Sequence, residues 1–357
     1  MTTAPDPINL ADYERLASEL LEAGPGGYYN GGAGDENTLR ANAAAWDKIT
    51  LRPRVCVDVG DLSTAVTVLG EQLSMPILVA PTALQRIAHD DGELAMAQAA
   101  QAAGTLMVCS TLASASLAEI AAAAPGAQRW LQLYLCRDRS VSNALVDQAV
   151  AAGATAIVVT VDAPYAGIRE RDLRSGFVVP EQIDMPGVTA ALGRSAGLTV
   201  EEFFAMVDPT LTWAKLEEFI ESAPLPVLVK GIQCGEDARL ACDHGVAGII
   251  ASNHGGRQLD NVAPTAELLA EVVDAAGGRV EVLVDGGIRR GSDVCAALAL
   301  GASAVLIGRP MLWGLTVDGA QGAERVLELL RHELEISLAL LGVSSPRQLT
   351  RAHVAGA

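Results

Sequence analysis

The string Ser252-Asn253-His254-Gly255-Gly256-Arg257-Gln258 places an imidazole and a guanidinium three residues apart, beside two glycines. Histidine exchanges a proton near neutral pH, and arginine binds a carboxylate through two parallel hydrogen bonds. Asp162, at the end of an apolar run, could hydrogen-bond the imidazole and stabilise its cationic form. The string therefore indicates proton transfer on a carboxylate-bearing substrate. The structural alternative is a capping histidine with a solvated arginine.

A second group of residues indicates a phosphate site. Asp285-Gly286-Gly287 brings bare backbone N–H groups close to a ligand, and Gly308-Arg309 begins a predicted helix. Arg289 and Arg309 add positive charge, and backbone donors, a helix start and arginines together bind phosphate. These residues fit many phosphate ligands and do not name the cofactor. The alternative is that the glycines only form tight turns and the arginines are solvated.

Lys230 stands at the end of a buried apolar run, where a charged amine needs a partner. Beside a flavin it would stabilise negative charge at the pyrimidine end of the ring, whereas in an aldolase-like barrel it would form a Schiff base. Nothing in the neighbouring sequence separates these two roles. The phosphate residues and the His254–Arg257 string together favour the flavin.

Eight short, continuous apolar runs position these residues. Runs of this kind are typical of parallel strands covered on both faces. They lie at 76–82, 106–110, 129–135, 156–162, 226–231, 248–253, 281–287 and 304–310. Helical segments, such as 92–104, 141–153 and 293–301, separate most of them, and eight β–α alternations predict a closed (β/α)8 TIM barrel. A doubly wound open sheet is the alternative.

In such a barrel, ligands bind at the carboxyl ends of the strands. Polar residues stand at or near the ends of the runs, and we expect them to meet at one rim. Besides those already named, the residues at these ends are Pro81, Thr82, Ala83, Ser110, Gln132, Tyr134 and Thr160.

Two regions fall outside the repeat. Residues 1–75 form an N-terminal segment with a predicted helix at 10–24, a glycine-rich turn at 24–34 and a hairpin around 50–61. Residues 163–225 are a long insertion after the fourth strand, and insertions of this length are usually lids or interfaces. We interpret residues 1–357 as one barrel domain with these two additions.

Composition excludes several classes of protein. The 357 residues carry 25 Lys and Arg against 43 Asp and Glu, a net charge of −18, which argues against a nucleic-acid binder. Six scattered cysteines without a C-x-x-C pair argue against a zinc site and a disulfide framework, so we expect no metal. No apolar stretch is long enough for a membrane span, and the N-terminus lacks a secretory signal. A cytoplasmic protein is the expectation.

The string at 252–258 resembles the active-site motif of the FMN-dependent (S)-2-hydroxy acid oxidases and dehydrogenases. The strings APTA at 80–83 and DGGIRRG at 285–291 match that family as well. The resemblance runs from the N-terminal helix to about residue 350. It implies FMN as cofactor and relatives that are often oligomers, so a homotetramer or octamer is expected.

The resemblance also implies roles, residue by residue. His254 would be the catalytic base, oriented by Asp162, while Tyr28 and Arg257 would bind the substrate carboxylate. Arg169 matches a family arginine in the lid that can reach into the substrate site. Tyr134 would hydrogen-bond the substrate hydroxyl or carboxylate. The FMN contacts would come from the remaining rim residues: Pro81, Thr82, Ala83, Ser110, Gln132, Thr160, Lys230, Ser252, Asp285, Gly286, Gly287, Arg289, Gly308 and Arg309.

The implied reaction converts a 2-hydroxy acid to a 2-keto acid, with O2 as acceptor giving H2O2. Ala83, where several dehydrogenase and monooxygenase relatives have Gly, favours the oxidase. Leu112, where plant glycolate oxidases have Trp, indicates a substrate larger than glycolate, such as lactate, a longer aliphatic acid or a mandelate-like acid. The alternatives are a dehydrogenase that uses a quinone or carrier, a flavin-dependent peptide maturase, and a non-enzymatic flavin- or phosphate-binding barrel.

Overall fold

A computed structural model describes residues 6–195 and 197–356 of the chain. Eight parallel strands close into a barrel in the order β10-β3-β4-β5-β6-β7-β8-β9, which confirms the predicted TIM barrel and excludes the open sheet. Each predicted run contains one barrel strand or most of it. The strands are β1 (Val66–Val68), β2 (Glu71–Leu73), β3 (Ile77–Val79), β4 (Leu106–Cys109), β5 (Gln128–Leu133), β6 (Ile157–Thr160), β7 (Val227–Ile232), β8 (Gly248–Ala251), β9 (Glu281–Asp285) and β10 (Ala304–Ile307).

Helices surround this barrel, as the β–α repeat predicts. In the described part of the chain they are α1 (Leu10–Leu20), α2 (Ala23–Asn30), α3 (Asn37–Trp46), α4 (Gly92–Ala102), α5 (Leu117–Ala123), α6 (Arg139–Ala151), α7 (Glu170–Ser175), α8 (Pro186–Ala191), α9 (Val200–Met206), α10 (Trp213–Ser222), α11 (Gly235–Asp243), α12 (Thr265–Ala276), α13 (Gly291–Ala299) and α14 (Arg309–Leu341). Non-helical backbone at Asp318 and Gly319 breaks α14. Four of these helices, α7 to α10, lie in the insertion 163–225.

The core has two layers because side chains alternate along each strand. On β3, Ile77 and Val79 pack in the large cluster that includes the helices, whereas Leu78 belongs to a second, inner cluster. Trp130 is the largest side chain of this inner cluster, which fills the barrel. Inner clusters of this kind make a TIM barrel a packed core and leave ligands to the rim.

The amino-terminal end of the barrel is closed by the hairpin β1–β2, not by the predicted hairpin at 50–61. Val66 and Val68 join the inner cluster, and Leu69–Gly70 forms the two-residue turn with φ +47° and +83°. Two positive φ values match the turn that suits the strand twist. Residues 50–61 instead run along the C-terminal segment, where the N–H of Arg52 donates to the carbonyl of His353.

The predicted glycine-rich turn at 24–34 is also wrong in part, because residues 23–30 form α2. Glycine and proline are poor helix formers, so this helix depends on distant partners. The guanidinium of Arg257 donates to the carbonyls of Tyr28 and Gly31, and that of Arg309 donates to Tyr29. These bonds hold the N-terminal segment on the rim of the barrel.

Candidate active site

A deep cleft lies at the carboxyl ends of the barrel strands and gathers nearly all of the predicted site residues. The cleft has about 1130 Å³ of empty space, its open mouth included. The predicted residues that line it are Tyr28, Pro81, Thr82, Ala83, Ser110, Gln132, Tyr134, Thr160, Arg169, Lys230, His254, Arg257, Asp285, Gly286, Gly287, Arg289, Gly308 and Arg309. The two others, Asp162 and Ser252, lie behind residues that line it.

His254 and Asp162 form the pair that the sequence suggested. Nδ1 of His254 lies 3.0 Å from Oδ1 of Asp162, so Nε2 is the ring nitrogen left for other partners. Burial alone would raise the pKa of Asp162, but the charge and hydrogen bond of His254 and the charge of Lys230 outweigh it and lower that pKa. The carboxylate of Asp162 therefore stays ionised beside the imidazole ring.

The backbone at His254 is strained and must be held in place. His254 has φ +57°, and Gly255 and Gly256 follow with φ +62° and +73°. The side chain of Asn253 accepts from the N–H of Gly256 and exchanges hydrogen bonds with Asn42 of α3. Left-handed backbone at a non-glycine residue persists only where its surroundings fix it, and these bonds supply that support.

Lys230 is buried in an ion pair. Its Nζ lies 2.9 Å from Oδ2 of Asp285 and donates to Oγ of Ser252 at 2.8 Å. Ser252 also accepts from the N–H of His254 at 3.0 Å, and so it connects Lys230 to the histidine loop. A Schiff-base lysine needs its amine free to attack a carbonyl, whereas Nζ of Lys230 is held in contact with Asp285 and Ser252. The arrangement therefore favours an electrostatic role.

Two arginines and a tyrosine form the cationic mouth of the cleft. The guanidinium carbon of Arg257 lies 5.4 Å from the ring centre of Tyr28, and that of Arg169 lies 6.0 Å from it. Burial and the charge of Arg169 lower the pKa of Arg257. Burial raises the pKa of Tyr28 despite both arginines. Two cations beside a neutral phenol fit a carboxylate ligand.

The cleft wall between β4 and β6 is a hydrogen-bonded layer. Nε2 of Gln132 donates to Oγ1 of Thr160 at 3.0 Å, and Oε1 of Gln132 accepts from the N–H of Thr111 and the hydroxyl of Ser110. Tyr134 stands next to this layer, and burial followed by the charge of Asp162 raises its pKa. The wall thus presents a neutral phenol and fixed amide and hydroxyl groups to a ligand.

At the other end of the cleft, the positive charges of Arg289 and Arg309 repel each other. Burial, together with Arg257 and Arg289, lowers the pKa of Arg309 to about 9, and burial also lowers the pKa of Arg289. Gly308 and Arg309 stand at the start of α14, where the helix dipole favours an anion. A phosphate would relieve this repulsion.

The placement of Arg309 is more specific than the sequence indicated. Its three nitrogens donate to the carbonyls of Tyr29, Gly255 and Gly31. Arg309 therefore connects α2 with the histidine loop as well as lining the phosphate end of the cleft.

These residues fit FMN. Within residues 6–195 and 197–356, the buried Oδ1 of Asp285 has no hydrogen-bond donor, as a carboxylate that accepts from a ribityl hydroxyl would. Lys230 provides buried positive charge beside Asp285, and Arg289 and Arg309 provide positive charge for a phosphate. A flavin mononucleotide combines all three chemistries.

Sequence reasoning left some lining residues without a role, most notably Val200 and Phe204 of α9. A signal existed, because Thr199 and Glu202 have the spacing of a capping box, and the structure forms it. Val200 and Phe204 are four residues apart and so share one helix face. Their position shows that the insertion 163–225 reaches the cleft.

Comparison with known proteins agrees with this site. The model of the FMN-dependent dehydrogenase family matches residues 17–356. The chain is 47% identical over 354 residues to the L-lactate oxidase of Nostoc sp., covering 96% of this chain and 97% of that protein. It is 44% identical over 355 residues to the glycolate oxidase of Spinacia oleracea, covering 97% and 95%.

Solved structures give the same result. The crystal structure of a mandelate oxidase matches with a TM-score of 0.90 at 44% identity, covering 96% of this chain and 98% of that one. Within the described residues, no helix is both long and apolar enough to cross a membrane. The chain therefore belongs to the FMN-dependent dehydrogenase family and, within it, to the FMN-dependent 2-hydroxy acid oxidases.

Proposed function

We propose that this protein oxidises an (S)-2-hydroxy acid to the 2-keto acid and passes the electrons to O2, with His254 as the base. The observation that carries the proposal is the His254–Asp162 pair at 3.0 Å, which shares one cleft with Arg257, Arg169 and Tyr28. FMN, when bound, supplies the two-electron acceptor that the amino acid side chains lack.

The charged and the neutral side chains of the cleft have different roles in the proposed reaction. Arg257 and Arg169 bind the substrate carboxylate, and Tyr28 adds a neutral hydrogen-bond donor. Tyr134 holds the substrate hydroxyl or carboxylate. Nε2 of His254 takes one proton, from either C2 or the hydroxyl, and the negative charge of Asp162 stabilises the imidazolium that results. Lys230 would hold the pyrimidine edge of the cofactor through its positive charge, and Arg289 and Arg309 would hold its phosphate.

Apolar side chains at the substrate end support an acid larger than glycolate. Leu112, Val200 and Phe204 line the cleft, and the ring of Phe204 packs 5.4 Å from that of Tyr134. Lactate, longer aliphatic acids and mandelate-like acids are the candidates. Because α9 contributes to the cleft from the insertion, the rim is partly covered, which supports a small acid over a peptide substrate.

A substrate panel tests this proposal. Glycolate, lactate, 2-hydroxyoctanoate and both mandelate enantiomers are mixed with the holoenzyme without air, and loss of visible flavin absorbance is followed. We expect an (S)-acid larger than glycolate to reduce the flavin fastest and His254→Ala to abolish the reduction. Rapid reduction of the His254→Ala variant would contradict the assignment of the base.

The electron acceptor needs a separate experiment. The substrate-reduced enzyme is mixed with air-saturated buffer, and reoxidation and peroxide are measured. An oxidase reoxidises in fractions of a second and releases peroxide. Reoxidation over minutes, with fast turnover on an artificial quinone, would favour the dehydrogenase.

Phe204→Ala tests the apolar wall. Alanine in place of Phe204 leaves space that a bulkier acid can fill, and each buried methylene contributes about 0.8 kcal/mol. The preference in kcat/KM should therefore shift from shorter to bulkier acids by about tenfold or more. The measurement is kcat/KM for the acids of the panel that the wild type oxidises. Phe203→Leu is the control, because Phe203 is buried beside Phe204 but does not line the cleft. An unchanged preference in Phe204→Ala would remove Phe204 from the substrate wall.

A further inference from the structure

Glu93 is a fully buried carboxylate that has no role in the chemistry proposed above. It lies in the first turn of α4 and has 0% exposed surface. Burial raises the pKa of Glu93, and hydrogen bonds from Ser114 and Gln85 oppose that rise. A group so costly to bury is retained for its hydrogen bonds or for its charge.

Its hydrogen bonds go to two different turns of the barrel. Oε1 accepts from the N–H of Gln85 at 3.0 Å and from the N–H of Ser114 at 2.8 Å, and Oε2 accepts from the hydroxyl of Ser114 at 2.5 Å. Oγ of Ser114 in turn accepts from the N–H of Arg86 at 3.0 Å. One carboxylate thus joins the turn after β3 to the turn after β4.

Both turns form the wall of the cleft. Pro81, Thr82 and Ala83 line it from the first turn, and Ser110 and Leu112 line it from the second. The link to Thr82 is direct, because Nε2 of Gln85 donates to its Oγ1 at 2.8 Å. Any movement of Gln85 would therefore move a residue that faces the ligand.

The first turn needs this support because its backbone is strained. Leu84 has φ +54°, a left-handed conformation at a bulky residue. Its N–H donates to the carbonyl of Leu112 at 2.9 Å, and its carbonyl accepts from the hydroxyl of Tyr29 at 2.6 Å. Glu93 fixes the next residue, Gln85, and completes the restraint.

We propose that Glu93 is a positioning residue that holds residues 81–84 against the flavin. The proposal rests on the assignment of Thr82 and Ala83 to the cofactor wall. It does not depend on the identity of the substrate or of the electron acceptor.

Two variants separate the hydrogen bonds from the charge. Glu93→Gln keeps an oxygen for the N–H groups of Gln85 and Ser114, and its amide can donate to Oγ of Ser114. Glu93→Ala removes every bond and leaves buried donors without acceptors. Glu281→Ala is the control, since Glu281 begins β9 at the opposite end of the barrel and accepts from the N–H of Leu69.

The main measurement is the Kd for FMN, obtained by titrating each apoprotein, together with the visible spectrum of the bound flavin. A buried donor without an acceptor is strongly disfavoured, so Glu93→Ala should raise that Kd about tenfold or more and shift the spectrum. Glu93→Gln should stay within about threefold of wild type. Glu281→Ala should change the melting temperature and leave both flavin readouts unchanged.

Wild-type FMN affinity and spectrum in Glu93→Ala would overturn the proposal, and so would a Glu93→Gln variant as impaired as Glu93→Ala. If Glu93→Ala does not fold, Ser114→Ala replaces it, because it removes only the hydroxyl link and should show a smaller loss of the same kind. FMN binding is measured without substrate, so failure of the proposed oxidation would leave this test intact.

Discussion

His254 holds a left-handed backbone conformation beside the buried, ionised carboxylate of Asp162. The strain and the buried charge both cost free energy, and both fix the imidazole with Nδ1 toward Asp162. The tautomer and orientation that the proposed base requires are therefore set before substrate binds.

Asp162→Asn tests this preorganisation. The amide keeps the size of the side chain but removes the negative charge that stabilises the imidazolium. The rate constant for anaerobic flavin reduction should fall about 10²-fold or more, with little change in substrate affinity. Stopped-flow absorbance provides both values. Asp208→Asn, which alters another buried ion-paired carboxylate outside the cleft, should match wild type, and a similar loss there would point to general destabilisation.

The lowered pKa of Asp162 also predicts that the free energy of unfolding depends on pH. The pKa of Asp162 is lower in the folded protein than its unfolded value of about 4. Its contribution to the free energy of unfolding is therefore present above about pH 4 and is lost as pH falls through the folded pKa. Urea unfolding of wild type and Asp162→Asn should thus give a stability difference that shrinks below about pH 4. A difference independent of pH would show that Asp162 does not titrate in this way.

At the scale of elements, β7 makes room for Asp162, the partner of His254. The register between β7 and β8 shifts between Lys230 and Ile232, and Gly231 lies in this irregularity with φ +112°. A Cβ atom on Gly231 would lie 2.6 Å from Cβ and Cγ of Asp162. The bulge and the glycine together allow Lys230 and Asp162 to approach from neighbouring strands.

Gly231→Ala should therefore reduce activity through Asp162. Misplacing a reacting group by about 1 Å costs about 10²-fold in rate, and we expect flavin reduction to slow by that order. Gly245→Ala is the matched control, because Gly245 has φ +77° and nothing within 4 Å of an added Cβ. Urea unfolding should show a loss of about 1–3 kcal/mol in both variants. Equal rates in the two variants would rule out the positioning role of Gly231.

The elements also show where sequence patterns succeed. Continuous apolar runs predicted all eight barrel strands, because a strand that is buried on both faces is apolar at consecutive positions. The hairpin β1–β2 has no such signal in the sequence, because Leu69 is not a typical turn residue and its positive φ is imposed by packing. The role of Glu93 was not predicted either, because nothing in the sequence indicates that a glutamate in a predicted helix is buried.

At the scale of the whole molecule, the N-terminal segment and the barrel share one site. Nε1 of Trp46 donates to the carbonyl of Gly286, and Nε1 of Trp313 donates to Oδ1 of Asn30. With Tyr28 in the cleft, these bonds connect residues 28–46 to the end of the barrel that carries the cleft. We therefore propose that residues 1–357 are a single domain that unfolds in one transition.

The chain carries a net charge of −18, which taken alone disfavours binding of an anionic cofactor. The screening length at 0.15 M salt is about 8 Å, so distant acidic residues contribute little inside the cleft. Lys230, Arg257, Arg289 and Arg309 all line that cleft. The local positive charge therefore favours an anionic ligand despite the net charge of the chain.

Removing FMN should destabilise the whole domain, and its phosphate should account for much of the effect. A ligand at 100 times its Kd stabilises the folded state by about 2.7 kcal/mol, so FMN should raise the melting temperature of the apoprotein and preserve a single transition. Riboflavin carries the same ring and ribityl chain without the phosphate, and at equal concentration it should stabilise much less. Calorimetry of the apoprotein with each ligand measures both effects. Equal stabilisation by the two ligands would mean that Arg289 and Arg309 do not bind the phosphate. Two separate unfolding transitions would mean that the N-terminal segment unfolds independently of the barrel.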